Sequence, residues 1–240
     1  MKSRLDERYD NYTLYGIHDK TDRDLLAAYS WGIVLSCLVG DTLILVGSLR
    51  YKAIKLHKIL VVFIQYIAVA DLAIAIFRVL PGAVSLAANE WVLGEFLCYF
   101  EYCVTCSVGG TICILVSALS LTKLLIVKYP FRAVSLSTGA AHFTVLGSLL
   151  YSMCLPLLSI ISDNHGVYFN FLDYNCDYYS PSEDSIIPTI TSALVGLSGV
   201  VTTTITVVSS FMLIAIARNV AMRGPGELQW QGIVMVLLTA

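Results

Sequence analysis

Long apolar runs separated by short polar links organise this chain. The runs cover residues 27–49, 59–80, 96–127, 140–161 and 186–217. Each reaches or exceeds the ~20 residues a helix needs to cross the hydrocarbon core of a bilayer. None shows the period-two alternation of a membrane barrel strand, and over such lengths only a helix satisfies its own backbone in lipid. A further run begins near Gln231 and reaches Ala240 through "GIVMVLLTA". Its rise of about 14 Å, at ~1.5 Å per residue, is half a bilayer. The pattern predicts an all-α membrane protein in which about five helices and the start of a sixth are present. The expected organisation is a tail over 1–26 and a partial bundle over 27–240, read as part of something longer.

Composition agrees with burial in lipid. The chain of 240 residues is 57% hydrophobic and 13% charged, against about 25% charged in soluble domains. Residues 1–24 are polar and of mixed charge, without the apolar core of a cleavable signal. The links alternate in charge. Arg50, Lys52, Lys55 and Lys58 follow the first run, and Lys123, Lys128 and Arg132 mark the end of the third. The intervening links carry no lysine or arginine, only acids: Glu90 and Glu95 in one, and Asp163, Asp173, Asp177, Glu183 and Asp184 in the other. The positive-inside rule then puts the N-terminus outside the cell. Asn11-Tyr12-Thr13 is a glycosylation sequon within that outer tail.

A few residue types stand out against the apolar background. Of the 7 cysteines, Cys37, Cys103, Cys106, Cys113 and Cys154 lie inside apolar runs as small packing residues. Cys98 and Cys176 sit at or beyond helix ends on the oxidising side and are the natural disulfide candidates; the alternative is a pair of free thiols. Asp41 and Asp71 fall deep in the first and second runs. A carboxylate there costs roughly 2.5–3.5 kcal/mol on insertion scales, so both are expected to face the bundle interior, as a packed polar spot or a cation-binding hub. Arg78 follows Asp71 by two helical turns, and Glu101 and Thr105 lie one and two turns into the third helix. These three are candidates to line an outward-facing pocket, unless Arg78 and Glu101 snorkel to the interface. Pro81 and Pro156 are expected to kink or end their helices.

No catalytic arrangement is visible. His18, His57, His142 and His165 lie in links or at helix ends without ligand spacing, and no nucleophile elbow, phosphate loop or zinc-protease motif occurs. An enzyme is therefore the least expected class. A transporter or channel would show inverted repeats and broken helices, which the two halves lack. No metal and no nucleic-acid partner is expected.

Several motifs together resemble the rhodopsin-like (class A) G-protein-coupled receptors, in an order that spans nearly the whole chain. "GDTLIL" at 40–45 is similar to the family's helix-1 glycine–asparagine motif, with Asp41 in place of asparagine. "VADLA" at 69–73 is similar to the helix-2 motif whose aspartate holds sodium. "WVLGEFLC" at 91–98 resembles the first outer loop leading to the helix-3 cysteine, and "LTKLLIVKYPFR" at 121–132 resembles the D-R-Y signature and the proline that follows it. The resemblance implies a seven-transmembrane helix bundle at the plasma membrane. It further implies a Cys98–Cys176 disulfide, a possible Na+ at Asp71, a ligand between Arg78, Glu101 and Thr105, and a heterotrimeric G protein at Thr122, Lys123, Leu124 and Pro130. It also makes Asp41 and Asp71 neighbours. Two carboxylates at close range do not both ionise cheaply, so a shared proton or a bound cation is expected between them. Thr122 cannot make the ion pair of the family's acidic residue, and Lys123 keeps the charge of its arginine without the planar fork. Thr105 stands where amine receptors carry an aspartate. The acidic link with Tyr174, Tyr178 and Tyr179 suggests a cationic or peptide ligand instead. Lys123 is expected at the cytoplasmic boundary, in the last turn of its helix. The alternative functions are a truncated, non-signalling receptor fragment or a transporter.

Overall fold

The computed structural model describes residues 20–50, 58–88, 91, 93–129, 137–161, 166–170, 175–179 and 186–222. Helix α1 spans Lys20–Arg50 and α2 spans Lys58–Ile74, running through a π-helical turn at Ala75–Val79 into α3, Leu80–Ala88. Helices α4, α5 and α6 span Gly94–Lys128, Thr138–Ile161 and Ile186–Met222. Between α5 and α6 lies an antiparallel hairpin of β1, Gly166–Asn170, and β2, Asn175–Tyr179. Five helical spans are long and apolar enough to cross a membrane: Asp24–Arg50, Lys58–Ala88, Phe96–Lys128, Thr138–Leu158 and Ala193–Asn219. These are the five runs of the sequence, so the chain is a multi-pass helical membrane protein. Asn11, Pro130, the basic link 51–57 and the run from Gln231 lie outside the described residues.

Two features differ from the sequence pattern. Helix α1 starts at Lys20, inside the stretch assigned to the tail. The second apolar run neither ends nor breaks at Pro81. Proline has no N–H to give, and its ring crowds the carbonyl four residues earlier, at Phe77. The wider π turn over Ala75–Val79 contains that residue, and the helix continues to Ala88. This turn interrupts the seven-residue spacing from Asp71 to Arg78, so spacing alone no longer puts the two on one stripe. Helix α5 likewise contains Pro156 and runs on to Ile161.

Helix α4 is the centre of the bundle, packed against α2, α5, α6, the π turn and both strands, while α1 packs on α2, the π turn and α3. A core of Ile59, Leu60 and Phe63 from α2, Leu115 from α4, and Ala141 and Val145 from α5 joins three helices. A second cluster closes the hairpin end, where Trp91, Tyr99 and Tyr102 pack on Cys98 and Cys176. Two buried hydroxyls are each absorbed by their own helix: Thr111 Oγ1 donates to Ser107 O at 2.7 Å and Ser148 Oγ to Val145 O at 2.8 Å, a common solution where no water reaches. Large apolar side chains such as Phe96, Phe143 and Ile161 point outward, 78–79% exposed, which lipid rather than water accommodates.

The α4–α5 contact depends on small residues. Ala141, Val145, Ser148 and Ser152 form a buried stripe on α5 at helical spacing. Opposite Ser152 sits Gly110, where an added Cβ would lie 2.8 Å from Ser152 Oγ. Close approach through glycine and serine is the packing mode of helices in lipid.

Candidate functional site

The hairpin end is built around α4. Gly94 opens this helix at φ +80, a conformation that favours glycine, and the Trp91 indole folds back to donate Nε1–H to Gly94 O at 2.8 Å. One turn on, Cys98 is bonded to Cys176 of β2, 78 positions away in sequence, with a Cα–Cα distance of 5.3 Å. One further turn on, Glu101 is 2% exposed, and its Oε2 accepts a hydrogen bond from the Cys176 N–H at 3.1 Å. Thr105 follows at the next turn; its buried Oγ1 has no hydrogen-bond partner among the described residues. Arg78 is half-buried in the π turn, which reaches α4 through an edge-to-face pair of Phe77 and Phe100, 5.4 Å between centroids. Arg78, Glu101 and Thr105 thus belong to adjoining elements, but Glu101 is engaged by the hairpin.

Midway along the bundle, Asp41 of α1 and Asp71 of α2 are half-buried and within electrostatic reach of one another, and Cys37, one turn before Asp41, reaches both. Gln65 Nε2 donates to Ser48 Oγ at 3.1 Å, tying α2 to α1. Among the described residues no three His, Cys, Asp or Glu side chains converge to hold a metal.

At the opposite end, Thr122, Lys123 and Leu124 are all buried, at 6–8% exposure. Thr122 Oγ1 donates to Ala118 O at 2.7 Å, within its own helix. Helix α4 continues to Lys128, so Lys123 is not in the last turn as its sequence setting suggested; it is packed inside the bundle. Lys128 occupies the boundary, with its Nζ 5.4 Å from the Tyr129 ring centroid, and the Tyr129 N–H closes the helix on Leu125 O at 2.8 Å.

One contact had no counterpart in the sequence reading. Tyr66 of α2 and His142 of α5 are hydrogen-bonded, hydroxyl to Nδ1, at 3.1 Å, with rings edge-to-face at 5.7 Å. The residue types hinted at it, being polar aromatics in or beside apolar runs, but the partnership depends on helix rotation. A groove of about 550 Å³ runs along α6 past Gly196, Gly199 and Thr203. It is lined by that one helix and touches none of the residues above.

Comparison with known proteins places this geometry. The family model of the seven-transmembrane receptors of the rhodopsin family matches residues 40–237. A protein of Amphibalanus amphitrite named "Probable G-protein coupled receptor No18" is 33% identical over 98 residues, 40% of this chain and 24% of that protein. The crystal structure of squid rhodopsin superposes with a TM-score of 0.70 at 15% identity, over 84% of this chain and 54% of that one. The chain therefore spans about half the length of squid rhodopsin, and the aligned part is about a quarter of the length of the Amphibalanus amphitrite protein. With the match running from the first helix to within a few residues of Ala240, the chain belongs to the rhodopsin family of seven-transmembrane receptors.

Proposed function

We propose that the protein is a G-protein-coupled receptor of the plasma membrane, with its N-terminus outside, that carries ligand binding at the hairpin end to a heterotrimeric G protein at the Lys123 end. The family match over 40–237 carries this reading. The hairpin bonded to α4 through Cys98–Cys176 supports it, since it sets a fixed structure across one end of the bundle. Arg78, Glu101 and Thr105 surround the ligand mouth. The acids of the link between α5 and α6 favour a cationic ligand or peptide, whose binding would weaken with salt. Asp41 and Asp71 form the inner polar hub. Sodium there would neutralise the two carboxylates when bound, and the residues themselves would fix the relative rotation of α1 and α2. Coupling to the G protein is assigned to Thr122, Lys123, Leu124 and Pro130. Lys123, buried and cationic, is the group whose exposure would change if α4 and its neighbours move apart. Asn11 is the proposed glycosylation site.

The test is a second-messenger screen of the full reading frame in cells, against peptide and small-cation libraries. The reading expects a ligand-dependent response that Lys123→Ala abolishes while surface expression persists. A chain that reaches the surface and answers no ligand in any pathway contradicts it. Substituting Asp41→Asn separates the hub: sodium and pH dependence of ligand binding should change, and if both stay as in the parent the hub has no such role.

A further inference from the structure

We propose that Glu101 is a positioning residue that latches the β1–β2 hairpin onto α4, a second fastening beside the Cys98–Cys176 disulfide. This goes beyond the receptor reading and holds whether or not the chain couples to a G protein. The disulfide holds Cys176 by its side chain alone, through rotatable single bonds. Glu101 lies three residues beyond Cys98, about 4.5 Å further along the helix axis and on the same face. It engages the same residue from another side: Glu101 Oε2 accepts the backbone N–H of Cys176 at 3.1 Å. Two attachments one helical turn apart, one to the side chain and one to the main chain of a single residue, fix an orientation that either alone leaves open. Cys98, Cys176 and Glu101 are only 2–4% exposed, so water does not compete for the N–H. Trp91, Tyr99 and Tyr102 pack around the joint. Phe169 of β1 is the cross-strand neighbour of Cys176, so a pose fixed at Cys176 is passed to the whole hairpin.

Glutamine separates a latch from a charge. It keeps an acceptor oxygen at the same reach and loses the negative charge, whereas alanine loses both. The experiment uses the full chain in lipid nanodiscs and reads two quantities: hydrogen exchange of peptides spanning residues 166–179, and the rate at which a water-soluble phosphine reduces Cys98–Cys176. Glu101→Ala should speed exchange at Cys176 about tenfold or more, as loss of a buried charge-assisted bond implies, and should speed reduction as well. Glu101→Gln should restore both to within about threefold of the parent, because a neutral acceptor is the weaker one. Unchanged exchange in Glu101→Ala overturns the latch, as does Glu101→Gln behaving like alanine. Should alanine not yield folded protein, Glu101→Met, of similar volume, is measured in its place. If only glutamine folds and keeps native protection the latch stands, and if glutamine fails to fold it falls.

Discussion

Adding one methyl group to α4 tests the helix packing directly. An alanine Cβ at position 110 would sit 2.8 Å from Ser152 Oγ and 3.2 Å from Ser152 Cβ, whereas carbon contacts are comfortable at about 3.5–4.0 Å. Ser152 is 2% exposed, so its hydroxyl has little room to turn aside from the 2.8 Å contact, and α4 and α5 must part by a few tenths of an ångström. Such overpacking costs about 1–3 kcal/mol, set against the ~1 kcal/mol that alanine gains over glycine in a helix. Gly109 supplies the control, since a Cβ there meets nothing within 4 Å. Gly109→Ala should therefore stabilise by up to ~1 kcal/mol, and Gly110→Ala should fall about 1–3 kcal/mol below it. Ser152→Ala alone removes a buried oxygen without a hydrogen-bond partner among the described residues, a change near neutral or mildly stabilising. In the Gly110→Ala background it should return more than half the loss, giving a coupling above ~0.5 kcal/mol. Equilibrium unfolding of the purified protein in detergent, followed by tryptophan fluorescence, reads all five proteins. Equal stability of Gly109→Ala and Gly110→Ala, or additivity with Ser152→Ala, would refute the reasoning.

Three further outcomes follow from the same geometry. Cys98→Ser with Cys176→Ser opens a 78-residue link and should cost about 2–5 kcal/mol of stability; identical melting of oxidised and reduced protein would contradict this. Gly94→Ala meets no neighbour within 4 Å but must hold φ +80, so a backbone cost of about 1–2 kcal/mol is expected, and less with Gly94→Asn; equal loss from both would point to packing instead. Tyr66→Phe and His142→Ala should be coupled by about 1 kcal/mol in a double-mutant cycle, the value of one hydrogen bond; simple additivity would mean the bond at 3.1 Å contributes nothing.

The helices were legible because length and apolarity alone identify them in lipid. The five runs and the five membrane-length spans coincide to within a few residues at most ends, although the helix of the first run begins earlier, at Lys20, and that of the second ends later, at Ala88. The Cys98–Cys176 bond was legible because these two cysteines alone lie outside or at the edge of the runs. The π turn was not: the helix does not end at Pro81 but widens just before it, and sequence spacing has no term for a change in turn width. The β1–β2 hairpin was missed because its ten residues mix polar, aromatic and apolar types within a link read only for charge. Glu101 was identified as a site residue, but its partner, a backbone N–H 75 positions away, leaves no mark on the sequence. Likewise the depth of Lys123 depends on which neighbouring helices close over it. Tyr66 with His142 and Gly110 with Ser152 are contacts between helices, fixed by rotation about each axis, which hydropathy leaves undetermined.

Under the proposed function, events at the hairpin end reach a G protein at the Lys123 end. Energy transfer between the full-length receptor and a panel of heterotrimeric G proteins, in cells exposed to peptide and small-cation libraries, measures this directly. At least one ligand should change the signal for at least one G protein, and Lys123→Ala should abolish the change with surface expression intact. A receptor at the surface, with Cys98–Cys176 formed, whose signal no ligand alters for any G protein would contradict it.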